Sequence, residues 1–189
     1  MKTFEIIGYI QQKPIELIML QEFFAKHDFS PKKILEIGTL YGGTTLLWAK
    51  MVQVNDGIVY GIDRVFHQNN IYKGTEWEKY VVEIIGDSHS IEIKNKVREQ
   101  VSNVDLLFID GDHSFKGVKE DFETYSPLVK EGGWIALHDI LDTEYNRSGK
   151  GGVIIEVADL WKELKLKYEH YEIVDPISQE NMGIGVIRC

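Results

Sequence analysis

The chain of 189 residues contains a single cysteine, Cys189. No internal disulfide can form, and with no second thiolate there is no cysteine-based zinc site. Nothing therefore points to an oxidising compartment. Long apolar runs are also missing. Glu5 interrupts the first hydrophobic residues, and no stretch approaches the roughly 20 residues that a membrane-crossing helix needs. The expectation is a cytoplasmic protein with no membrane partner. Basic runs are missing too: 21 Lys and Arg stand against 30 Asp and Glu, for a formal net charge of −9. That balance works against a nucleic-acid backbone or an anionic lipid surface as partner. Finally, no repeat and no Pro-, Ser- or Gly-rich linker divides the sequence. A chain of this length without a linker reads as one domain with a sizeable core.

What is present is an alternation of short apolar runs and helical patterns. Strands are expected at 34–37, 58–62, 81–85, 104–109 and 134–137, and helices at 43–54, 91–101, 116–129 and 153–166. Val118, Phe122, Tyr125 and Val129 fall on one helical face. Strands that are apolar throughout and separated by helices predict a parallel sheet covered on both faces. Right-handed crossovers make it doubly wound. The rhythm breaks at the end. Runs at 168–174 and 183–188 are joined by a connection too short for a crossover helix, which predicts an antiparallel pair at one edge. The fold class is thus α/β, a doubly wound, mostly parallel seven-stranded sheet with a C-terminal antiparallel strand pair. Residues 1–30 form an N-terminal helical segment packed on the core, with a helix over 15–24, and residues 31–189 the main domain.

The first strand leads into Glu36-Ile37-Gly38-Thr39-Leu40-Tyr41-Gly42-Gly43-Thr44-Thr45. Glycine tolerates positive φ and admits a ligand close to the backbone. In an open α/β sheet, that strand-to-helix turn is where nucleotide-like ligands bind. Glu36, Asp63, Asp87 and Asp110 each fall at or near the carboxyl end of a strand, so four carboxylates line one crevice. One such acid means little, because Asp is common in turns and caps; four in succession are harder to assign to capping. Asp63, followed by Arg64, suits the two hydroxyls of a ribose. Asp87 with Ser88 suits an adenine amino group, and Ser88 suits equally the N-cap of the helix at 91. Glu36 lies under the turn and either fixes it or meets an ammonium group through its backbone. The spacing departs from Gly-x-Gly-x-x-Gly and no phosphate-loop lysine follows, so a pyrophosphate is not the ligand. Gly38, Thr39, Tyr41, Gly42, Gly43 and Thr44 instead suit a ligand with adenosine at one end and an amino acid at the other, Thr44 holding the carboxylate.

On these residues the chain resembles the class I S-adenosylmethionine-dependent methyltransferases, whose fold is Rossmann-like. Phe108-Ile109-Asp110-Gly111-Asp112-His113-Ser114 and Gly132-Gly133-Trp134-Ile135-Ala136-Leu137-His138-Asp139 further resemble a subgroup of small-molecule and sugar O-methyltransferases and cephalosporin hydroxylase relatives. The resemblance implies S-adenosylmethionine as cofactor and a small-molecule acceptor. It also implies a homodimer, and an N-terminal segment, Gly8-Tyr9-Ile10-Gln11-Gln12-Lys13-Pro14, that closes over the methionine end.

The reactive cluster is Asp110, Asp112, His113, His138 and Asp139. Neighbouring strand ends lie about 5 Å apart, so both groups reach one pocket. Asp110 and Asp139 can supply the one or two carboxylates that Mg²⁺ usually takes from protein. His138 in the same set favours a softer metal, since imidazole suits Zn, Fe or Ni better; a metal-free site also works, because methyl transfer from a sulfonium needs mainly alignment and deprotonation. His113, three residues after Asp110, suits the general base. The plainer alternative is that His113 and Ser114 cap the following helix and that His138 sits in a loop as a satisfied histidine. The polar, glycine-rich stretch 140–152 suits a lid or a surface connection, with Arg147 and Lys150 within reach of an acceptor. The activity expected is methyl transfer to a hydroxyl. The alternatives are a cofactor-binding module that acts through a partner, or other small-molecule chemistry on the same fold.

Overall fold

The computed structural model describes residues 11–189; Gly8, Tyr9 and Ile10 of the expected closing segment lie outside the described residues. Helix α1 (Pro14–Lys26) begins at Pro14, whose fixed φ suits a first helical position. Strand β1 (Lys33–Ile37) follows, then α2 (Gly43–Gln53) and β2 (Ile58–Asp63). A single 3₁₀ turn leads into β3 (Val81–Ile85), followed by α3 (Ile91–Gln100) and β4 (Val104–Ile109). Next come α4 (Phe115–Tyr125), β5 (Val129–His138), a short α5 (Glu144–Ser148) and α6 (Val157–Lys165). Strands β6 (His170–Ile173) and β7 (Ile184–Arg188) close the sheet.

The seven strands run in the order β3-β2-β1-β4-β5-β7-β6. The first five pair in parallel, and β7 is antiparallel to both β5 and β6. The expected fold class holds, including the C-terminal antiparallel pair. Alternate strand residues feed two apolar layers. Leu35, Ile37, Leu107, Ile109, Ile135 and Leu137 face α3, α4 and α6. Ile34, Leu106, Phe108, Trp134 and Ala136 face α1 and α2. β4 is buried along its whole length, as a central parallel strand must be.

Three expected boundaries shift, each for a local reason. The helix expected over 116–129 ends at Tyr125, because Pro127 cannot continue it; a 3₁₀ turn intervenes and Val129 already belongs to β5. The strand expected at 134–137 starts five residues earlier, across a register shift opposite Val104–Leu106 and through Gly132 at φ +73°. Such a bulge breaks the alternation that a sequence reading relies on. The helix expected from 153 starts at Val157, and Val153 and Ile154 lie exposed.

Helix α1 docks by polar as well as apolar contacts. Leu17, Leu20 and Phe24 are buried in the layer under α2. Glu16 is wholly buried, and its two oxygens accept the backbone N–H groups of Asp175 and Gly183, each at 3.1 Å. Lys13 Nζ donates to the carbonyls of Ser178 (2.5 Å) and Asn181 (3.1 Å). The start of α1 thereby fixes the β6–β7 connection. No helix among the described residues is long and apolar enough to cross a membrane.

Candidate functional site

The carboxyl ends of β1, β2, β3, β4 and β5 surround one cavity of about 650 Å³. Its floor is the glycine turn after β1. Gly38 has φ +86°, and a Cβ there would lie 2.0 Å from the Asp110 carbonyl oxygen. Only glycine lets β1 and β4 approach this closely. Asp63, ending β2, ties the turn down: its Oδ2 accepts Thr39 N–H at 3.0 Å and Leu40 N–H at 2.7 Å, and its Oδ1 accepts Val65 N–H at 3.0 Å.

Of the expected cofactor residues, Gly38, Thr39, Gly43, Thr44, Asp63, Arg64, Asp87, Ser88 and Asp110 line this cavity. Glu36, Tyr41 and Gly42 do not. Glu36 is wholly buried beneath the turn, where it accepts the Thr45 hydroxyl at 2.5 Å and so anchors the first turn of α2. Burial pushes its carboxyl up to about 8, against the smaller opposing effect of that hydrogen bond. Tyr41 turns outward and meets His67 edge to face. Gly42 caps α2 in a left-handed conformation, and a Cβ there would strike the Tyr72 ring. Thr44 donates to Gln12 Oε1 at 2.6 Å.

At the β3 end the two readings of Ser88 separate. The N-cap of α3 is Ser90, which accepts Ile93 N–H. Ser88 is left to the cavity wall, its carbonyl accepting the Tyr125 hydroxyl at 2.6 Å. Asp87 is mostly exposed and accepts His89 N–H at 3.0 Å. Behind it, His89 Nε2 lies 3.1 Å from Oδ1 of the buried Asp121. Burial lifts Asp121 to about 6, offset in part by the Ser88 side chain and the His89 charge.

The reactive cluster sits at the other end of the cavity, on the β4 and β5 termini. Asp110, His113 and Asp139 each offer a ligand atom, and the three lie within 4.8 Å of one another. His138 was expected with the two carboxylates and His113 as the base; both histidines line the cavity beside them. His138 is buried, with Nδ1 3.0 Å from Asp110 Oδ1 and 3.4 Å from Asp139 Oδ2. Burial alone would depress its imidazole; the two carboxylates outweigh this and hold it well above the ordinary histidine value. Asp139 is likewise pulled below the usual carboxylate range, its burial outweighed first by His138. His113 Nδ1 lies 3.3 Å from Asp139 Oδ2. Asp139 adopts φ +65°, a conformation that costs a non-glycine residue roughly 1–2 kcal/mol. The cap of α4 falls to Ser114 alone, which accepts Gly117 N–H, so His113 is not spent on capping. Asp112 turns aside to accept Ser114 N–H at 2.9 Å. The donors suit a divalent cation: two carboxylates and an imidazole converge, and among the described residues no Lys or Arg pairs with either carboxylate.

Sequence reasoning put Gln12 in the closing segment and Tyr145 and Asn146 in the 140–152 stretch without assigning them contacts, and it missed Met182. Gln12 is buried and bridges Thr44 to Asp110, donating from Nε2 to Asp110 Oδ2. Tyr145 and Asn146 of α5, with Met182, line the same cavity. Asn146 is nearly fully buried, its Nδ2 donating to the Leu141 carbonyl at 2.7 Å. A buried amide in a polar, glycine-rich stretch carries no periodic signal that could have revealed it. Arg147 and Lys150 stay outside the cavity wall. Arg147 makes a bidentate pair with Asp159, and Lys150 faces Glu144.

Known proteins resemble this chain in sequence and in fold. An uncharacterized protein of Acanthamoeba polyphaga mimivirus is 29% identical over 153 residues, 75% of this chain and 65% of its own length. One of Sinorhizobium fredii is 25% identical over 158 residues, 76% of this chain and 17% of its own. The chain therefore spans less than two thirds of either relative. Among solved structures, a Staphylococcus aureus protein provisionally assigned as a caffeoyl-CoA O-methyltransferase superposes with a TM-score of 0.70 at 20% identity, covering 99% of this chain and 93% of that one. A Bacillus cereus O-methyltransferase in complex with S-adenosylhomocysteine gives 0.67 at 18%, over 93% and 81%. The mycinamycin-pathway methyltransferase MycE, solved with Mg and S-adenosylhomocysteine, gives 0.62 at 17%, over 90% and 48%. At these identities the likeness is one of fold. A family profile described as a methyltransferase domain matches residues 35–140, more than half of the chain. With the seven-stranded sheet and the glycine turn already in place, the chain belongs to this methyltransferase-domain family and has the fold of the class I S-adenosylmethionine-dependent methyltransferases.

Proposed function

We propose that the chain transfers the methyl group of S-adenosylmethionine to a hydroxyl of a small molecule, a sugar or another natural product. The observation that carries this reading is one continuous cavity with adenosine-type contacts at one end and the Asp110, His113 and Asp139 group at the other. Its volume of about 650 Å³ falls within the usual range for small-ligand sites. In this reading Asp63 keeps its backbone contacts and uses its remaining lone pairs for the ribose hydroxyls. The Asp87–Ser88 edge meets the adenine. The start of α2, at Gly43 and Thr44, receives the amino-acid end.

The reaction follows from alignment. The acceptor oxygen attacks the methyl carbon opposite sulfur; the new C–O bond forms as the C–S bond breaks, and the sulfonium becomes a neutral thioether. The hydroxyl proton must leave as that bond forms. Deprotonation falls to the Asp110, His113 and Asp139 group. Without an ion, a ring nitrogen of His113 receives the proton and Asp139 orients the imidazole. A divalent ion held by the two carboxylates would make the hydroxyl more acidic.

Calorimetry with S-adenosylhomocysteine tests the donor half, with saturable binding expected. Transfer of labelled methyl groups to a panel of hydroxylated and aminated small molecules tests the acceptor half. Labelling of hydroxyls supports the reading. Labelling confined to amines overturns it, and binding without any transfer leaves a cofactor-binding module.

A further inference from the structure

We infer that the acceptor is an uncharged compound with an apolar face and a second hydroxyl besides the one methylated, and that Asn146 is the residue that selects it. This rests on the methyl-transfer reading and narrows its substrate class. Asn146 is 1% exposed and lines the cavity, and its Oδ1 is buried without a hydrogen-bond partner among the described residues. The orientation of the amide is set, because Nδ2 donates to the Leu141 carbonyl at 2.7 Å. The backbone is held as well: its carbonyl accepts Ile155 N–H at 3.0 Å, and its N–H donates to the Thr143 hydroxyl at 3.3 Å. Buried polar atoms in folded proteins are almost always paired, and leaving one unmet is costly. A rigid carbonyl oxygen kept unmet at a cavity wall is short of a donor, and a hydroxyl of the ligand supplies it.

The chain ties this residue to the reactive end. Leu141, two positions after Asp139, donates its N–H to the Met182 carbonyl at 3.1 Å. Ile155 precedes Glu156, whose N–H donates to the His113 carbonyl at 2.8 Å. Asn146, bonded to both Leu141 and Ile155, joins the segment that follows Asp139 to the segment that holds His113.

The same stretch supplies apolar surface. Tyr145, Val153, Ile155 and Met182 line the cavity, and Tyr145 and Val153 are 38% and 55% exposed. An apolar ligand face laid against them removes that surface from water. Charge excludes the other class of acceptor. Five aspartates line the cavity, Asp63, Asp87, Asp110, Asp112 and Asp139, against a single Lys or Arg among the described residues, Arg64. Arg64 directly follows Asp63, at the end given to the ribose. Arg147 and Lys150, the cations of the 140–152 stretch, are paired with carboxylates outside the wall. A phosphate, sulfonate or carboxylate on the acceptor would lose its water here with no cation to meet it, so anionic acceptors are rejected.

The test is transfer of labelled methyl groups by the full chain to matched compounds. These are a naphthalene diol, the corresponding naphthol and the same diol bearing a sulfonate, the same three forms on a cyclohexane frame, and free glucose and its phosphate ester as polar controls. We expect the neutral diols to be methylated with kcat/KM at least about tenfold above the mono-ols and the sulfonates. Asn146→Ala should bring the diol-to-mono-ol ratio close to one and keep S-adenosylhomocysteine binding. Val153→Lys, at an exposed position of the wall, should raise transfer to the sulfonates. The wild-type ratios and this second variant decide the matter even where Asn146→Ala does not fold. Preference for a sulfonate, for glucose or for its phosphate, a wild-type chain that treats mono-ol and diol alike, or an Asn146→Ala chain that loses both equally would each overturn the inference and leave methyl transfer standing. Loss of S-adenosylhomocysteine binding by the wild-type chain, or binding with no transfer to any compound, would remove the methyl-transfer reading and the inference with it.

Discussion

The end of the cavity proposed for the methyl donor and the end proposed for the acceptor are held by different forces. At the donor end, backbone and buried carboxylates set the geometry: Gly38 lies against the Asp110 carbonyl, Asp63 accepts two turn N–H groups, and Glu36 anchors α2 from below. At the acceptor end, the buried Glu16 holds the β6–β7 connection, while residues 140–156 are tied to α6 by side chains near the surface. Arg147 and Asp159 are each about a third exposed, at 32% and 39%. Val153 and Ile154 stand free in solvent. Side-chain contacts can be exchanged without disturbing the sheet, so the acceptor wall can be rebuilt while the donor site stays.

The sharpest break of this contrast is Gly38→Ala. The added Cβ meets main chain rather than a movable side chain, at a φ that disfavours alanine. A loss of more than about 3 kcal/mol is expected, at the upper end for single substitutions, read from the urea midpoint, with S-adenosylhomocysteine binding lost alongside. An unchanged midpoint would deny that the donor end is backbone-dictated.

Glu36 gives a pH signature to the same end. Its carboxyl is raised from 4.5 to about 8 by burial. The folded chain thus keeps a proton that the unfolded chain releases above about 4.5, and stability should fall as pH rises from there toward 8. Glu36→Gln, which mimics the neutral carboxyl, should flatten that slope in urea midpoints taken between pH 5 and 8. On the acceptor side, Asp142 is depressed to about 2 by Arg147 and Lys162. Its contribution has the opposite sense, present above the unfolded value and lost as pH falls toward 2. It should be small because the pair is exposed.

Gln12 joins the two ends through Asp110 and Thr44. Gln12→Ala should cost about 1–3 kcal/mol for the buried groups left unpaired, and it should weaken S-adenosylhomocysteine binding in calorimetry. The smallest effect belongs to Arg147→Ala. Its exposed pairs contribute about 1 kcal/mol or less, so the urea midpoint should barely move, cofactor affinity should hold, and the acceptor KM should rise. A comparable loss of cofactor affinity would erase the distinction between the ends.

That distinction also governs how much the sequence discloses. The strands through Ile109 and the acids that end them are legible because a parallel sheet demands continuous apolar runs and places each carboxyl end on one edge. Asp63, Asp87 and Asp110 follow from that rule alone. What is illegible depends on contacts far apart in the chain. Gln12 reaches Asp110 across 98 positions, and Glu16 reaches Gly183 across 167. The different surroundings of His113 and His138 are of the same kind. Both histidines stand beside a strand-end acid, and only the fold shows that His138 is buried against Asp110 and Asp139 while His113 is partly exposed beside Asp139.

The placement of β7 between β5 and β6 sets the order in which the molecule can be assembled during synthesis. Chains emerge from the N-terminus at about 5–20 residues per second, and early segments fold first. The five parallel strands can pair as they appear, but β6 leaves the ribosome without a neighbour, because the strand that joins it to β5 follows it in the chain. Until residues 184–188 arrive, the edge of β5 is open and the Gly183 N–H is not yet placed to donate to Glu16. The β1–β5 half of the cavity can thus form on the growing chain before the wall that β7 completes.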